Sequence, residues 1–229
     1  MTLKDTKIFE IHGDAYADRE LKRIPIHVDR PDRLEVTGLD SVVKLVQHEM
    51  DMIENSPIYI QAATEREVRV FTTYDSLLER DELYRAKCDV PAFSEGFRSY
   101  DTAMIQLRSK FIPNEDVKYL LDILARITTD SSISSSDNGL SQTVEARQGI
   151  QLKANVTLKP RVSLRPYRTF LEVEQPESEF ILRLDGEGNV GFLEADGGMW
   201  RMQAKAAICK YFEQKLAKDV EIGNVVVMM

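Results

Sequence analysis

The sequence has few of the residues that build metal sites and disulfides. It contains two cysteines, Cys88 and Cys209, outside any CxxC spacing, and three histidines, none of them in an HxH, HxxxH or HExxH pattern. No serine stands in a GxSxG motif. These absences disfavour a zinc site and the common hydrolase nucleophiles, and we expect both cysteines to be reduced thiols. The sequence therefore predicts no catalytic residue, no cofactor and no metal.

Long apolar runs are also missing. No stretch approaches the roughly 20 apolar residues that a membrane-spanning helix needs. No apolar segment follows the charges of residues 1–7, as it would in a secretory signal. Apolar residues make up 43% and charged residues 30% of the chain, which is ordinary for a folded globular protein. We therefore expect a cytoplasmic protein that does not contact a membrane.

The chain lacks an excess of positive charge. Its formal net charge is −8, whereas a general nucleic-acid coat carries a positive field, because its affinity comes largely from counterion release at phosphates. Residues 1–100 hold 14 Lys and Arg against 20 Asp and Glu, and residues 101–229 hold 16 against 18. Broad DNA coating is disfavoured, and any anion site is expected in the nearly balanced C-terminal part.

The spacing of apolar residues predicts an α+β fold with antiparallel or mixed sheets, about four helices, and a C-terminal β-hairpin followed by a long helix. The expected helices cover residues 40–53, 99–111, 114–127 and 196–217. The expected strands include a hairpin over 58–72, a third strand over 82–93, β-structure over 142–158 and a hairpin over 180–194. Asp40 or Ser41 is the expected N-cap of the first helix, and Asn114 that of the third.

We expect two lobes, an N-terminal α+β lobe over 1–95 and a C-terminal α+β lobe over 96–229, or one continuous domain. The serine-rich residues 131–139 are either a flexible linker or a mobile polar loop of a hairpin. The apolar segment Val225–Met229 is expected to join a sheet, its own or a neighbour's, because an exposed apolar strand invites aggregation.

A basic and aromatic stretch carries the clearest functional signal. The candidate ligand-binding residues are Lys159, Arg161, Arg165, Tyr167, Arg168 and Trp200. A period of two places residues 159 to 167 on one face of a strand, with Val162 and Leu164 on the packed face. Arg binds phosphate or carboxylate through two parallel hydrogen bonds, and Tyr stacks on a base. The alternative is a solvated face that pairs with the acids at 172–179, with Trp200 as a core anchor.

Carboxylates near the C-terminal hairpin could indicate metal or acid–base chemistry. Glu187 lies at the hairpin tip, and Glu194 and Asp196 precede the last helix. Such positions are more typical of turn and cap residues, so a structural role is favoured. The pair Gly197–Gly198 is interpreted in the same way, since it lacks a fuller phosphate-loop pattern.

Several segments resemble a known family. They are PYRTF at 166–170, EQP at 174–176, SEF at 178–180, EADGGMW at 194–200 and LRSKF at 107–111. Together with residues 130–139 they resemble the YfdQ-like family of tailed-phage and prophage proteins, a domain of unknown function, from about residue 34 onward. The resemblance implies a phage or prophage origin and an early or accessory role inside a bacterial host. It implies no reaction and no catalytic residue.

The combined expectation is a non-enzymatic phage accessory protein that acts by binding in the host cytoplasm as a homo-oligomer. A nucleotide-like anionic small molecule or a host-defence component is the expected target. One alternative is a DNA-binding or recombination-accessory protein. A second is a phosphodiesterase or nuclease that acts through Glu194 or Asp196, and a third is a structural role in the virion.

Overall fold

A computed structural model describes residues 7–17, 23–24, 32–50, 57–75, 78–91, 93–126, 132–137, 142–148, 151–185 and 189–229. These residues form helices packed against antiparallel and mixed β-sheets, which confirms the predicted α+β class. In the described part of the chain the longest helix has 16 residues, and none combines the length and apolar character that a membrane crossing requires.

Five helices are present in the described residues. They are α1 (Leu39–Glu49), α2 (Tyr100–Ser109), α3 (Glu115–Arg126), α4 (Trp200–Lys215) and α5 (Ala217–Glu221). Each of the first four buries one apolar stripe, as helical spacing predicts. The predicted cap of α3 is confirmed, because the side chain of Asn114 accepts a hydrogen bond of 2.8 Å from the N–H of Val117.

The predicted cap of α1 is wrong. The helix begins at Leu39, so Asp40 and Ser41 lie inside its first turn and cannot act as caps. A distant carboxylate takes that place, since the N–H of Leu39 donates a hydrogen bond of 2.7 Å to Glu172 Oε1. Asp40 accepts a hydrogen bond from the Tyr211 hydroxyl on α4 instead.

The described strands form four sheets. They are β1 (Ile8–Ile11), β2 (Asp14–Ala17), β3 (Arg23–Ile24), β4 (Leu34–Val36), β5 (Ile58–Thr64), β6 (Glu67–Phe71), β7 (Glu82–Lys87), β8 (Gly96–Arg98), β9 (Ser132–Asp137), β10 (Gln142–Gln148), β11 (Gln151–Thr157), β12 (Val162–Leu164), β13 (Ser178–Leu184), β14 (Val190–Glu194) and β15 (Val225–Met228). The sheet orders are β1-β2-β3, β11-β10-β9, β12-β13-β14-β8 and β15-β5-β6-β7-β4.

The predicted hairpins at β5–β6 and β13–β14 are confirmed by their antiparallel registers. The serine-rich segment differs from both interpretations that the sequence left open. Residues 132–137 form strand β9, which pairs antiparallel with β10. Backbone pairing with a neighbouring strand therefore outweighs the weak β preference of serine, and sequence composition does not report such a partner.

Two hydrophobic cores are present among the described residues. The first lies between the β12–β14 sheet and helices α2 and α3, around Phe111, Phe180 and Phe192. The second lies between the β15–β4 sheet and helices α1 and α4, around Ile58 and Phe212. Burial of an aliphatic or aromatic side chain contributes about 1.5 to 3 kcal/mol, so these two clusters are the main source of stability.

The C-terminal segment of the chain completes the N-terminal sheet. Strand β15 pairs in parallel with β5, and Val225 is buried in the same core as α1. The apolar end of the sequence is therefore tied into the chain's own sheet. Each predicted lobe thus contributes to this second core, and the division into lobes over 1–95 and 96–229, or one continuous domain, stays a prediction.

Candidate functional site

The basic stretch keeps its predicted alternation although the strand itself is short. Strand β12 covers three residues, but the in-and-out pattern continues to position 168. Val162 and Leu164 face the first core, while Arg161, Arg165 and Tyr167 lie on the outer side. Arg168 falls on the inner side, where it is only 2% exposed.

Each of the three outer cations is paired with a carboxylate. Lys159 Nζ lies 2.7 Å from Asp116 Oδ1 and 4.4 Å from the centroid of a tyrosine ring. Arg161 pairs with Glu179. Arg165 contacts two acids at 2.9 Å each, through its Nε and one Nη, and those acids are Glu174 and Glu177. An anionic ligand on this face must therefore compete with the protein's own carboxylates.

Arg168 forms the centre of a buried polar cluster with Glu194 and Trp200. One Nη donates to Glu194 Oε1 at 2.6 Å, and the other donates to Ser178 Oγ and to the carbonyl of Pro176. The guanidinium lies 3.9 Å from the centroid of the Trp200 ring, whose N–H donates to Glu194 Oε2 at 3.1 Å. Trp200 is 6% exposed, so it is a core residue and offers no stacking platform to solvent.

Burial and hydrogen bonding change the pKa values of two groups in this cluster, Arg168 and Asp196. Burial lowers the pKa of Arg168 to about 10, although Glu194 and Asp196 oppose that change. Burial alone would raise the pKa of Asp196, but hydrogen bonds from Ser178 Oγ, at 2.6 Å, and from backbone N–H groups lower it below its ordinary value. Arg168 therefore stays protonated at neutral pH beside an ionised Asp196.

The loop after Arg168 is held by the side chain of Gln175, which is 3% exposed. Its Oε1 accepts hydrogen bonds of 3.0 and 3.1 Å from the N–H groups of Arg168 and Thr169. Its Nε2 donates to the carbonyl of Phe170 at 2.9 Å. The segments PYRTF, EQP and SEF thus supply buried hydrogen-bonding partners in Arg168, Gln175 and Ser178.

The carboxylates considered for catalysis are engaged in the same way. Glu194 is occupied by Arg168 and Trp200, and Asp196 Oδ1 accepts from the N–H of Gly198 at 2.9 Å, which is the turn role expected for Asp196. Glu187 lies outside the described residues. Within the part of the chain that the structure describes, no group of three or more His, Cys, Asp and Glu side chains could hold a metal ion.

Tyr167 has a different environment from the other five candidates. Phe111 and Pro166 form an isolated antiparallel bridge, flanked by a hydrogen bond of 2.9 Å from the N–H of Tyr167 to the carbonyl of Lys110. Phe111 points into the first core, whereas Lys110 is exposed and Tyr167 is half-buried. The backbone hydrogen bond places these two residues next to each other.

These two side chains line a pocket of about 680 Å³, which we call the Tyr167 pocket. It is lined by Asp89, Val90, Pro91, Ser109, Lys110, Tyr167 and Leu171. Among the described residues, Lys110 has no ion-pair partner and the Tyr167 hydroxyl has no hydrogen-bond partner. The described lining therefore presents one cation, one free hydroxyl donor and one carboxylate beside apolar side chains. Its volume matches that of sites for small molecules, which span about 300 to 1,000 Å³.

The walls of the Tyr167 pocket are tied together by Arg66, in the turn between β5 and β6. Its guanidinium donates to the carbonyls of Arg168 and Cys88 at 3.0 Å each, and also to that of Val90. One arginine thus fixes the segment before Pro91 against the segment that carries Tyr167. Fixing these two walls reduces the ordering that ligand binding requires.

Lys110 is the residue of this site that the sequence did not indicate. It lies at the C-cap of α2, 57 positions before Tyr167, and no local pattern connects the two residues. The LRSKF segment contains it, but a Lys at a helix C-terminus is ordinarily explained by the helix dipole. The bridge between Phe111 and Pro166 is what brings it beside Tyr167.

Comparison with known proteins identified no similar protein. No protein-family model, no curated protein and no solved structure matches this chain. The resemblance to the YfdQ-like family therefore stays an expectation from the sequence segments given above.

Proposed function

We propose that this chain is a non-enzymatic binding protein that holds a small nucleotide-like anion in the Tyr167 pocket. The observation that carries the proposal is the side-by-side placement of Lys110 and Tyr167, whose polar ends have no partner among the described residues, at the rim of an apolar pocket. The other candidate cations are already paired with carboxylates.

The lining of the pocket defines the chemistry of its ligand. Lys110 supplies a charge for a phosphate or carboxylate, and the Tyr167 hydroxyl supplies a hydrogen-bond donor. Val90, Pro91 and Leu171 offer an apolar surface for a flat ring. Asp89 accepts hydrogen bonds, as a ribose or an exocyclic amino group would require. A phosphorylated nucleoside combines all of these groups.

The biological setting of the proposal comes from the sequence. The resemblance to the YfdQ-like family suggests a phage or prophage accessory protein that acts in the cytoplasm of a bacterial host, where it would sequester a signalling nucleotide or occupy a host-defence component. Self-association into a homo-oligomer is part of the same proposal. DNA binding remains the alternative, and the net charge of −8 disfavours it.

A thermal-shift screen tests the proposal. Adenosine monophosphate, ADP-ribose and cyclic dinucleotides are compared with uncharged adenosine and with single- and double-stranded DNA. A bound ligand at about 100 times its Kd adds about 2.7 kcal/mol of stability, which raises Tm by roughly 5 to 10 °C in a domain of this size. We expect such a shift from at least one nucleotide and none from adenosine. A shift with DNA alone would favour the alternative.

Variants of the pocket localise the binding. Lys110→Gln removes a charge-assisted contact, so the Kd of the active nucleotide should rise by about tenfold or more. Lys118→Gln removes a charge from an exposed position on α3 and should leave the Kd unchanged. If Lys110→Gln keeps the full thermal shift, the nucleotide binds elsewhere and the Tyr167 pocket is not its site.

A further inference from the structure

The two edges of the five-stranded sheet differ in how they are protected. Monomeric proteins guard sheet edges with charges, prolines or bulges, because an open strand pairs with other chains. Strand β15 forms one edge, and residues 222–229 contain no charged residue and no proline. In a chain with 30% charged residues, this edge lacks the usual protection.

The opposite edge of the same sheet serves as an internal comparison. Strand β4 covers only three residues, and its central residue is Glu35. That carboxylate pairs with Lys87 at 3.2 Å and with Arg33 at 3.1 Å. Charges thus block pairing at β4, whereas nothing equivalent stands at β15 among the described residues.

The backbone of β15 is oriented for pairing on its outer side. The N–H of Ile58 donates to the carbonyl of Asn224 at 2.9 Å, so even-numbered residues of β15 direct their backbone groups to β5. Alternation then directs the N–H and C=O groups of Val225 and Val227 away from the sheet. The side chain of Val226 is 38% exposed, whereas that of Val225 is 1% exposed.

We infer that β15 is a homodimer interface, in which it pairs antiparallel with β15 of a second copy about a twofold axis near Val226. A second copy is the occupant that suits this edge, because the sequence VVVM then meets uncharged residues along its whole length. Head-to-tail pairing of β15 with β4 would place Glu35 and Arg33 against that apolar strand. The twofold arrangement joins two five-stranded sheets and uses both β15 edges, so a third copy cannot pair there.

This inference rests on the self-association within the proposed function and specifies its interface. Four paired residues with exposed neighbours such as Ile222 and Met229 form a small contact. Interfaces well below about 800 Å² per partner are typical of weak association. A Kd on the order of micromolar is therefore expected.

Sedimentation velocity over a wide range of protein concentration tests the interface. The wild-type chain should shift from monomer to dimer as concentration rises. Val226→Lys places a charge at the axis of the dimer and should weaken association by about a hundredfold or more, whereas Val226→Thr, which keeps a β-branched side chain, should retain it. A wild-type monomer at every concentration, or a Val226→Lys variant that associates like wild type, would overturn the inference.

A cross-link tests the register without relying on a destabilising charge. Non-hydrogen-bonded antiparallel pairs have Cα atoms about 4.5 Å apart, within reach of a disulfide. Oxidised Val226→Cys should therefore form a covalent dimer through residue 226, and Leu34→Cys on the β4 edge should not. An equal yield from both variants would contradict the twofold pairing.

The outcomes of the two proposals can be told apart. A monomeric wild-type chain that still binds a nucleotide at the Tyr167 pocket would overturn the dimer and leave the binding proposal standing. A dimer linked through residue 226 that binds none of the nucleotides would overturn the binding proposal and leave the dimer standing.

Discussion

At the residue scale, the buried cation Arg168 shows how a functional motif and a structural motif can share the same residue types. An arginine beside a tyrosine and a tryptophan is typical of phosphate and base recognition. In this chain Arg168 is 2% exposed, and its Nη atoms contact Glu194 and Ser178. Among the described residues its Nε has no hydrogen-bond partner, and one face of the guanidinium lies against the Trp200 ring.

Removing Arg168 should destabilise the fold strongly. In Arg168→Met, Glu194 is left buried without its cation, which costs about 3 to 5 kcal/mol. Glu194→Gln alone leaves the arginine buried without its anion. Because the two residues interact directly, the double variant Arg168→Met with Glu194→Gln should be more stable than the sum of the single changes implies, by about 1 to 3 kcal/mol. Urea denaturation of the four proteins measures this coupling, and additive losses would contradict the ion pair.

Asp196 should give the stability a defined pH dependence. Its pKa is lowered in the folded chain, so the stabilisation is present in full above the unfolded value of about 3.9 and is lost as the pH falls through the folded-state pKa. The difference in free energy of unfolding between wild type and Asp196→Asn should therefore be constant near neutral pH and shrink below about pH 4. Urea midpoints at several pH values measure it, and a difference that does not shrink in acid would be contrary evidence.

At the element scale, helix boundaries were predictable from the sequence where the partner is local. The cap of α3 comes from Asn114, one position before the helix, and the sequence predicted it. The cap of α1 comes from Glu172, 133 positions beyond Leu39, and no local pattern could reveal it. Gly38 makes this contact possible, because a Cβ at that position would lie 2.7 Å from Glu172 Oε1.

The distant cap of α1 can be tested with a neighbouring glutamate as control. Glu172→Ala removes the side-chain acceptor of the first N–H of α1, that of Leu39, and should cost about 1 kcal/mol. Glu174→Ala, whose side chain is 77% exposed and pairs only with Arg165 among the described residues, should cost less than about 0.5 kcal/mol. Chemical denaturation gives the free energy of unfolding of each variant and of the wild type. Equal losses would indicate that Glu172 contributes as a surface charge and does not cap the helix.

The sequence predicted the β12 face of the candidate site better than it predicted the Tyr167 pocket. Alternation placed Arg161, Arg165 and Tyr167 on the outer face correctly, because burial alternates along an extended strand. The alternative interpretation, a solvated face that pairs with the acids at 172–179, agrees with the ion pairs of Glu177 and Glu179. No pattern in the sequence indicated that Lys110 meets Tyr167. Both outcomes depend on pairings between segments that are separate in the sequence.

At the scale of the whole molecule, the second core joins residues 39–86 to residues of the C-terminal part of the chain. Ile58 from β5 packs in the same cluster as Phe212 from α4 and Val225 from β15. The sequence predicted each of these elements but not their common core, since hydrophobic periodicity reports which face is buried and not against what.

This shared core has a consequence for fragments. Residues 1–95 expressed alone lack the α4 and β15 side chains that cover their sheet, so this fragment should not give a cooperative unfolding transition. Adding residues 96–229 as a separate chain should restore a cooperative transition. Thermal unfolding followed by near-UV circular dichroism measures the transition of each sample. A cooperative transition of fragment 1–95 alone would show that the N-terminal lobe folds independently.

The central claim is that an anion is bound beside Tyr167 and not on the paired cations of the β12 face. Isothermal titration with the most strongly stabilising nucleotide tests it most directly, using Lys110→Gln and Arg165→Gln as matched losses of one positive charge. We expect Lys110→Gln to raise the Kd about tenfold or more and Arg165→Gln to change it by less than about twofold. The reverse order would place the ligand on the β12 face and contradict the claim.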